Sequence, residues 1–343
     1  MYIHVVGARP NFIKAAPVVE AMTELGLHSE ILHTGQHYDA KMSATFFDEL
    51  NIPHPKWNLG IGGGTHAEVT GKTMIESEVV FTQNKPTAVI VYGDVNATLA
   101  CAITAVKHHI PVIHIESGLR SGDLKMPEEV NRILVDRISD TLFCTEPDGG
   151  EQLIREGVDA SKIHIVGNVA IDNLRNTLRK LKPTSKPALD CILCTLHRPS
   201  NVDDSVRLTE ILTELGKLDN VIIPAHPRLK NNIKTFNITV PINIALIDPL
   251  GYADFITLLK DANGVISDSG GIQCEAAVLK TPLITLRDTL EHKITEQIGA
   301  NQLCFDITKL PKFNTEMDYG ELEIWDGNAS KRIAQIIKEQ YER

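Results

Sequence analysis

Short apolar runs recur along the chain, separated by stretches with helical spacing. YIHVVG, SEILHTG, TAVIVYGD, PVIHIE, TLFCTE and KIHIVG come first; CILCTLH, NVIIPAH, INIALID, GVISDSG and TPLITLR repeat the rhythm. Patterns such as VNATLACAITAVKHH and GGEQLIREG lie between them. Runs this continuous do not alternate apolar with polar residues. That predicts strands covered on both faces, hence parallel sheets flanked by helices. The predicted class is α/β, with two Rossmann-like, doubly wound parallel-sheet domains facing a cleft. The rhythm restarts after GNVAIDNLRNTLRKLKPTSKPALD (167–190), the domain change is placed near residues 168–172, and KPTSKP (182–187) is the most linker-like stretch. The domains are therefore placed at 1–168 and 169–325. The amphipathic SKRIAQIIKEQYER predicts a terminal helix within 326–343, expected to pack back on the N-terminal domain.

The length of 343 residues fits two domains at roughly 100–200 residues each. A net charge of −10 and no basic stripe argue against a nucleic-acid partner. No apolar window is long enough to cross a bilayer, and MYIHVVGARP has no basic n-region. The expectation is a cytoplasmic protein without a membrane partner. Cys191 and Cys194 form one CxxC inside an apolar run, with no second pair to complete a zinc site. That reads as strand core.

In doubly wound sheets ligands sit beyond the carboxyl ends of the strands, so chemistry is sought there. The first strand runs into GARPNFIK, where a glycine fingerprint is replaced by the cations Arg9 and Lys14. Gln36 and His37 follow the second strand, Asp94 follows VIVYG, and VIHIE ends on Glu116. In the second half His197 and Arg198, His226 and Arg228, and Arg287 occupy the same kind of position. SDSGGIQCE offers Ser269, Gly270, Gly271 and Glu275 at a helix start, where backbone N–H groups and the macrodipole attract a phosphate. A plain N-cap by Asp268 or Ser269 accounts for that stretch equally well. PEEVNR reads either as an ordinary acidic first turn or as part of a carboxylate group with Asp94 and Glu116. Carboxylates that crowd one another raise each other's pKa toward the range acid–base catalysis needs. GIGGGTH (60–66) is read as a loop that does not follow a strand.

GARPNFIKAAP, TGQHYD, GDVNATLA, HIESGLRSGD, MPEEVNR, GNVAIDNL, LHRPSNVDD, DPLGYADF, DSGGIQCEA and LRDTLEH stand in the order found in the non-hydrolysing UDP-N-acetylglucosamine 2-epimerases. The chain resembles that family over nearly its whole length. The resemblance implies the GT-B arrangement of two Rossmann-like domains. It also implies inversion of C2 of a UDP-sugar through 2-acetamidoglucal and UDP, no nicotinamide cofactor and no metal, and a homodimer. Matched by motif, Asp94, Glu116 and Glu128 would be the catalytic carboxylates and His197 a catalytic histidine near the diphosphate. Arg9, Lys14 and Arg132 would line the nucleotide-sugar site. Phe255 would pack on uracil, Ser269, Gly270 and Gly271 would meet phosphate, Glu275 the ribose, and Arg287 the nucleotide.

The chain departs from the family pattern at KMPEE, HRPSN, Cys274 and DTLEHKI. TGQHYDAKMSATFF and GGGTH look closer to enzymes acting on UDP-2,3-diacetamido-2,3-dideoxyglucuronic acid, and the regulatory UDP-N-acetylglucosamine site of some bacterial members is not expected. A hydrolysing 2-epimerase, a GT-B glycosyltransferase and a non-catalytic nucleotide-sugar sensor are the competing functions.

Overall fold

The computed structural model describes residues 1–35, 52–181, 190–318 and 320–342, with the side chains of Arg9 and Glu321 outside the description. Gln36, His37 and the KPTSKP stretch lie outside the described residues. The chain forms two compact units: Met1–Asn173 with Ile324–Arg343, and Leu174–Glu323.

The first unit runs β1 (Tyr2–Val6), α1 (Arg9–Glu24), β2 (Ser29–His33), β3 (Trp57–Asn58), α2 (His66–Asn84), β4 (Ala88–Tyr92), α3 (Asn96–Lys107), β5 (Val112–Ser117), α4 (Pro127–Ile138), β6 (Thr141–Cys144), α5 (Pro147–Arg155) and β7 (Ile163–Ile165). The unit boundary falls inside α6 (Val169–Lys180). The second unit runs β8 (Ile192–Thr195), α7 (Pro199–Val202), α8 (Ser205–Leu215), β9 (Val221–Pro224), α9 (Pro227–Thr235), β10 (Ile244–Ile247), α10 (Tyr252–Asp261), β11 (Gly264–Ser267), α11 (Gly270–Leu279), β12 (Leu283–Thr285), α12 (Ile294–Gln297) and β13 (Asn301–Leu303). Helix α13 (Ala329–Tyr341) belongs to the first unit.

The strands make a seven-stranded sheet, β3-β2-β1-β4-β5-β6-β7, and a six-stranded one, β10-β9-β8-β11-β12-β13. Every pairing is parallel. All five residues of β1 and of β4 are buried, which is why these strands read as unbroken apolar runs. In each sheet the chain first builds outward and then returns to start the other side, so β1 lies beside β4 and β8 beside β11. Right-handed crossovers send the helices after those neighbours to opposite faces. A crevice opens at the carboxyl ends of each such strand pair. The positions just after β1, β4, β8 and β11 are therefore where a ligand can be met.

Two differences from the sequence expectation have local causes. Helix α1 starts at Arg9, because Pro10 suits the first turn, so Arg9 opens a helix and does not stand in a loop. The glycine run at 60–66 does follow a strand, the two-residue β3, and Thr65 with Glu68 then caps α2 reciprocally. β3 (Trp-Asn) and β13 (Asn-Gln-Leu) hold no apolar run for a hydrophobic pattern to mark. Cys194 is fully buried in β8, and all six cysteines are buried and form no disulfide.

Helix α13 completes the first unit's core. Ile333, Ala334 and Ile337 join Ala15, Val18, Val19 and Met22 of α1 in one buried cluster. Each isoleucine contributes about 1.5–3 kcal/mol of burial. Asn328, at the N-cap, makes no side-chain cap bond. Asp172 of α6 takes over that role, accepting the Ala329 and Ser330 amides at 3.1 and 2.6 Å. Asp172→Ala is expected to lower unfolding free energy by about 1–2 kcal/mol. Amide exchange along Ala329–Tyr341 should accelerate before the rest of the unit, a local effect measurable by hydrogen exchange.

Candidate functional site

In the first unit Asn11 ties together the two strand ends that flank the crevice. Its Oδ1 accepts the Gly7 and Ala8 amides at 3.1 and 3.0 Å, and its Nδ2 donates to the Tyr92 carbonyl at 3.1 Å. Lys14, on the second turn of α1, donates to Glu116 Oε1 at 2.6 Å, with both side chains mostly buried. Glu116 has a φ of +72°, where the β5–β6 register shifts between Ile115 and Ser117. A left-handed non-glycine residue is held at a cost of about 1–3 kcal/mol, so its neighbours must enforce this backbone. Gly93 lies against the Lys14–Glu116 pair. Its φ is +60°, and a Cβ there would stand 3.3 Å from Lys14 Nζ and 3.6 Å from Glu116 Oε1.

Asp94 follows directly. Its Oδ2 accepts from Arg132 Nη2 at 2.5 Å, and Arg132 Nη1 also donates to Glu129 Oε2 at 2.9 Å. Glu129 accepts the Ser121 and Gly122 amides at 2.9 and 2.8 Å, which shapes the loop before α4. Burial alone would raise the Glu129 carboxyl; the two amides and Arg132 outweigh it and hold the group below the usual carboxylate range. Glu128 is exposed at the start of α4, one helical turn before Arg132, and has no hydrogen-bond or ion-pair partner among the described residues. In place of mutually repelling carboxylates, the structure has Asp94 and Glu116 each bound to a cation.

A second layer lies behind these groups. His114 is fully buried in β5, with Nε2 2.9 Å from the Gly93 carbonyl and Nδ1 2.7 Å from Asp136 Oδ1. Each ring nitrogen thus faces an oxygen acceptor. Asp136 Oδ2 accepts the Gly118 amide at 3.1 Å and Arg120 Nη1 at 2.7 Å. Burial pushes the Asp136 carboxyl up, but His114 and Arg120 prevail and keep it low.

In the second unit a buried carboxylate again organises a strand end. Asp268 accepts the His197 amide at 3.1 Å, the Arg198 amide at 2.9 Å and Asn201 Nδ2 at 3.1 Å. Its Oδ1 lies 2.6 Å from His197 Nδ1. Desolvation would raise its pKa; His197 and the other donors lower it below the usual value. The His197 side chain is half exposed, with Nδ1 engaged on the buried side. Asp268 is thus not spent on α11, and Ser269 at the N-cap makes no side-chain cap bond. The capping alternative for this stretch is therefore not what the structure contains, and the first turn at Gly270 and Gly271 keeps its anion-attracting character. Beside it Glu291 Oε1 accepts from Arg287 Nη2 at 3.1 Å and Arg198 Nη2 at 3.4 Å. Glu275 accepts from the Tyr252 hydroxyl at 2.8 Å, and Phe255 sits half-buried on the same helix as Tyr252. His226 caps α9 by accepting the Arg228 amide, and Arg228 pairs with Asp203, which leaves both in local structure.

Asp94, Glu116, Lys14 and Arg132 therefore gather in the first unit's crevice, with Glu128 at its margin; Arg9 begins α1, its side chain outside the description. His197, Ser269, Gly270, Gly271, Glu275, Arg287 and Phe255 fall in the second unit. Sequence reasoning missed Asn11, His114, Asp136, Tyr252 and Glu291. Mid-strand His114 was the best available signal, since a histidine in a fully buried strand needs polar partners. Among the described residues no group of three or more His, Cys, Asp or Glu is set to hold a metal ion, and no helix is long and apolar enough to cross a membrane.

A family model described as UDP-N-acetylglucosamine 2-epimerase matches residues 20–338. The chain is 40% identical to a UDP-N-acetylglucosamine 2-epimerase of Methanocaldococcus jannaschii over 97% of each chain. It is 42% identical to a UDP-2,3-diacetamido-2,3-dideoxy-D-glucuronate 2-epimerase of Pseudomonas aeruginosa, over 97% of this chain and 98% of that one. A crystal structure of the Methanocaldococcus jannaschii enzyme in complex with UDP-GlcNAc and UDP superposes with a TM-score of 0.86 at 37% identity, covering 99% of this chain and all of that one.

Two outcomes follow from the first unit's geometry. Gly93→Ala places a methyl group against Lys14 on a backbone that disfavours it. Turnover should fall roughly 10²-fold through misplacement of the pair, with circular dichroism unchanged. Glu129 and Asp136 have depressed folded-state pKa values, so their contribution to stability is present above the ordinary carboxylate values near 4 and is lost as pH falls through the lower folded ones. Urea unfolding from about pH 5 downward should show that loss, and Asp136→Asn should flatten the slope.

Proposed function

The chain belongs to the UDP-N-acetylglucosamine 2-epimerase family, and from that premise we propose that it inverts C2 of a UDP-activated N-acetyl sugar, converting UDP-GlcNAc to UDP-ManNAc. The C2–H bond is weakly acidic, because no adjacent carbonyl activates it. Its proton leaves to a carboxylate as the C1–oxygen bond breaks, giving 2-acetamidoglucal and UDP. UDP then re-adds at C1 while a second acid delivers a proton to the opposite face of C2. Atoms and charge balance without an external oxidant or reductant.

One observation carries this reading: Asp94 follows Gly93 and Glu116 lies against it, the two carboxylates held by different cations. Two carboxyl groups, each held by a different cation, suit a reaction that needs a base and an acid. Glu128, exposed at the start of α4, is the third acid–base candidate. Asp268 orients His197 by its Nδ1, so Nε2 is the nitrogen that meets the departing diphosphate. The start of α11 with Arg287 takes phosphate, Glu275 the ribose hydroxyls, and Phe255 the uracil face. Arg9 and Lys14 line the sugar side.

The similarity to the Pseudomonas aeruginosa enzyme favours a second substrate, UDP-2,3-diacetamido-2,3-dideoxyglucuronic acid, processed by the same chemistry. Incubation with each UDP-sugar in heavy water tests both. The proposal expects deuterium at C2 of an intact UDP-sugar, and the higher kcat/KM names the substrate. Free sugar with UDP would mark a hydrolase instead, and no exchange with either would sink the epimerase reading. Asp94→Asn and Glu116→Gln should each lower turnover by about 10²–10⁴-fold, while UDP affinity measured by calorimetry changes little.

A further inference from the structure

Glu291 is an acidic side chain that sits directly on the second unit's anion cradle. Its Oε1 takes Arg287 Nη2 and Arg198 Nη2 at 3.1 and 3.4 Å. Its Oε2 fills the space over Gly270, the first residue of α11, so that a Cβ added at Gly270 would collide with it. The carboxylate thus occupies the place, and satisfies the charges, that a phosphate at a helix N-terminus would take. Arg287 is only 4% exposed, and a buried guanidinium without an anion is strongly destabilising. Arg287 Nη1 is buried, has no hydrogen-bond partner and lies 3.8 Å from the Gly270 Cβ position, so the cradle has more donor capacity than a carboxylate uses.

We propose that Glu291 is the cradle's own counter-anion, seated between Arg198, Arg287 and Gly270, and that a nucleotide diphosphate binds by displacing it. The inference rests on the reading of this unit as the nucleotide-diphosphate site. A diphosphate carries more charge and more acceptor oxygens than one carboxylate, so it can win the exchange. Glu291 subtracts from the net affinity, and its return assists release. An ordinary positioning glutamate, retained beside the arginines when diphosphate binds, would add to affinity instead. The sign of the effect on removing it separates the two.

The test is calorimetric titration of wild type and Glu291→Gln with UDP, uridine and inorganic pyrophosphate, at low and at physiological salt. Displacement expects Glu291→Gln to bind UDP and pyrophosphate roughly tenfold or more tightly, with uridine unchanged. The variant's UDP affinity should also fall more steeply with salt, since two arginines lose their internal partner. Glu291→Ala gives the same comparison if the glutamine variant does not fold. Wild type that binds UDP with no gain, or a loss, in the variants overturns this inference and leaves the nucleotide-sugar reading standing. An equal gain for uridine also overturns it. Wild type that binds neither phosphorylated ligand while Glu291→Gln binds both supports it. Failure of every protein to bind either ligand overturns both readings.

Discussion

Each strand-end crevice is held in shape by buried carboxylates that accept main-chain amides. Glu129 takes Ser121 and Gly122, Asp136 takes Gly118, and Asp268 takes His197 and Arg198. Loops at a switch point have no ladder to satisfy their N–H groups, and a buried carboxylate without donors is costly. Each deficit resolves the other. Hydrogen bonds to charged groups contribute about 1.5–3 kcal/mol each, enough to fix loop backbone at the positions where the chemical groups stand. The left-handed backbone of Glu116 is one result: it lies between Ile115 and Ser117 in a strand whose other side chains are locked into the sheet.

The fold was legible because both faces of every central strand are covered, which leaves apolar runs that helical spacing cannot imitate. β3 and β13 escaped because Trp57–Asn58 and Asn301–Leu303 contain no apolar run. The strand-end positions of Asp94, Glu116 and His197 were legible too, since topology fixes where the carboxyl ends of the strands lie. Their partners were not. Arg132 reaches Asp94 from 38 residues away and Glu291 reaches Arg198 from 93, and no spacing rule links residues that distant. His114 resembled core, and only its two acceptors reveal that it supports Gly93 and therefore the turn carrying Asp94. At the start of α11 both a phosphate seat and a capped helix fitted the residues; Asp268's commitment to the neighbouring loop removes the capped-helix reading only.

The described cations of both crevices are paired with carboxylates. Lys14 has Glu116, Arg132 has Asp94 and Glu129, and Arg198 and Arg287 have Glu291. A chain of net charge −10 therefore presents cations at its strand ends beside internal carboxylates. An incoming anion meets guanidinium and ammonium groups already oriented by internal partners, so little ordering remains for the ligand to impose.

The first unit takes its last helix from beyond the second. Ile333, Ala334 and Ile337 of α13 share a core with α1, yet Leu174–Glu323 intervene along the chain. On a ribosome adding about 5–20 residues per second, the N-terminal sheet emerges and then waits on the order of ten seconds for its final wall. The contiguous second unit can finish first. During that interval the α1 face that α13 will cover is an exposed apolar stripe, and it is there that a chaperone would engage the nascent chain.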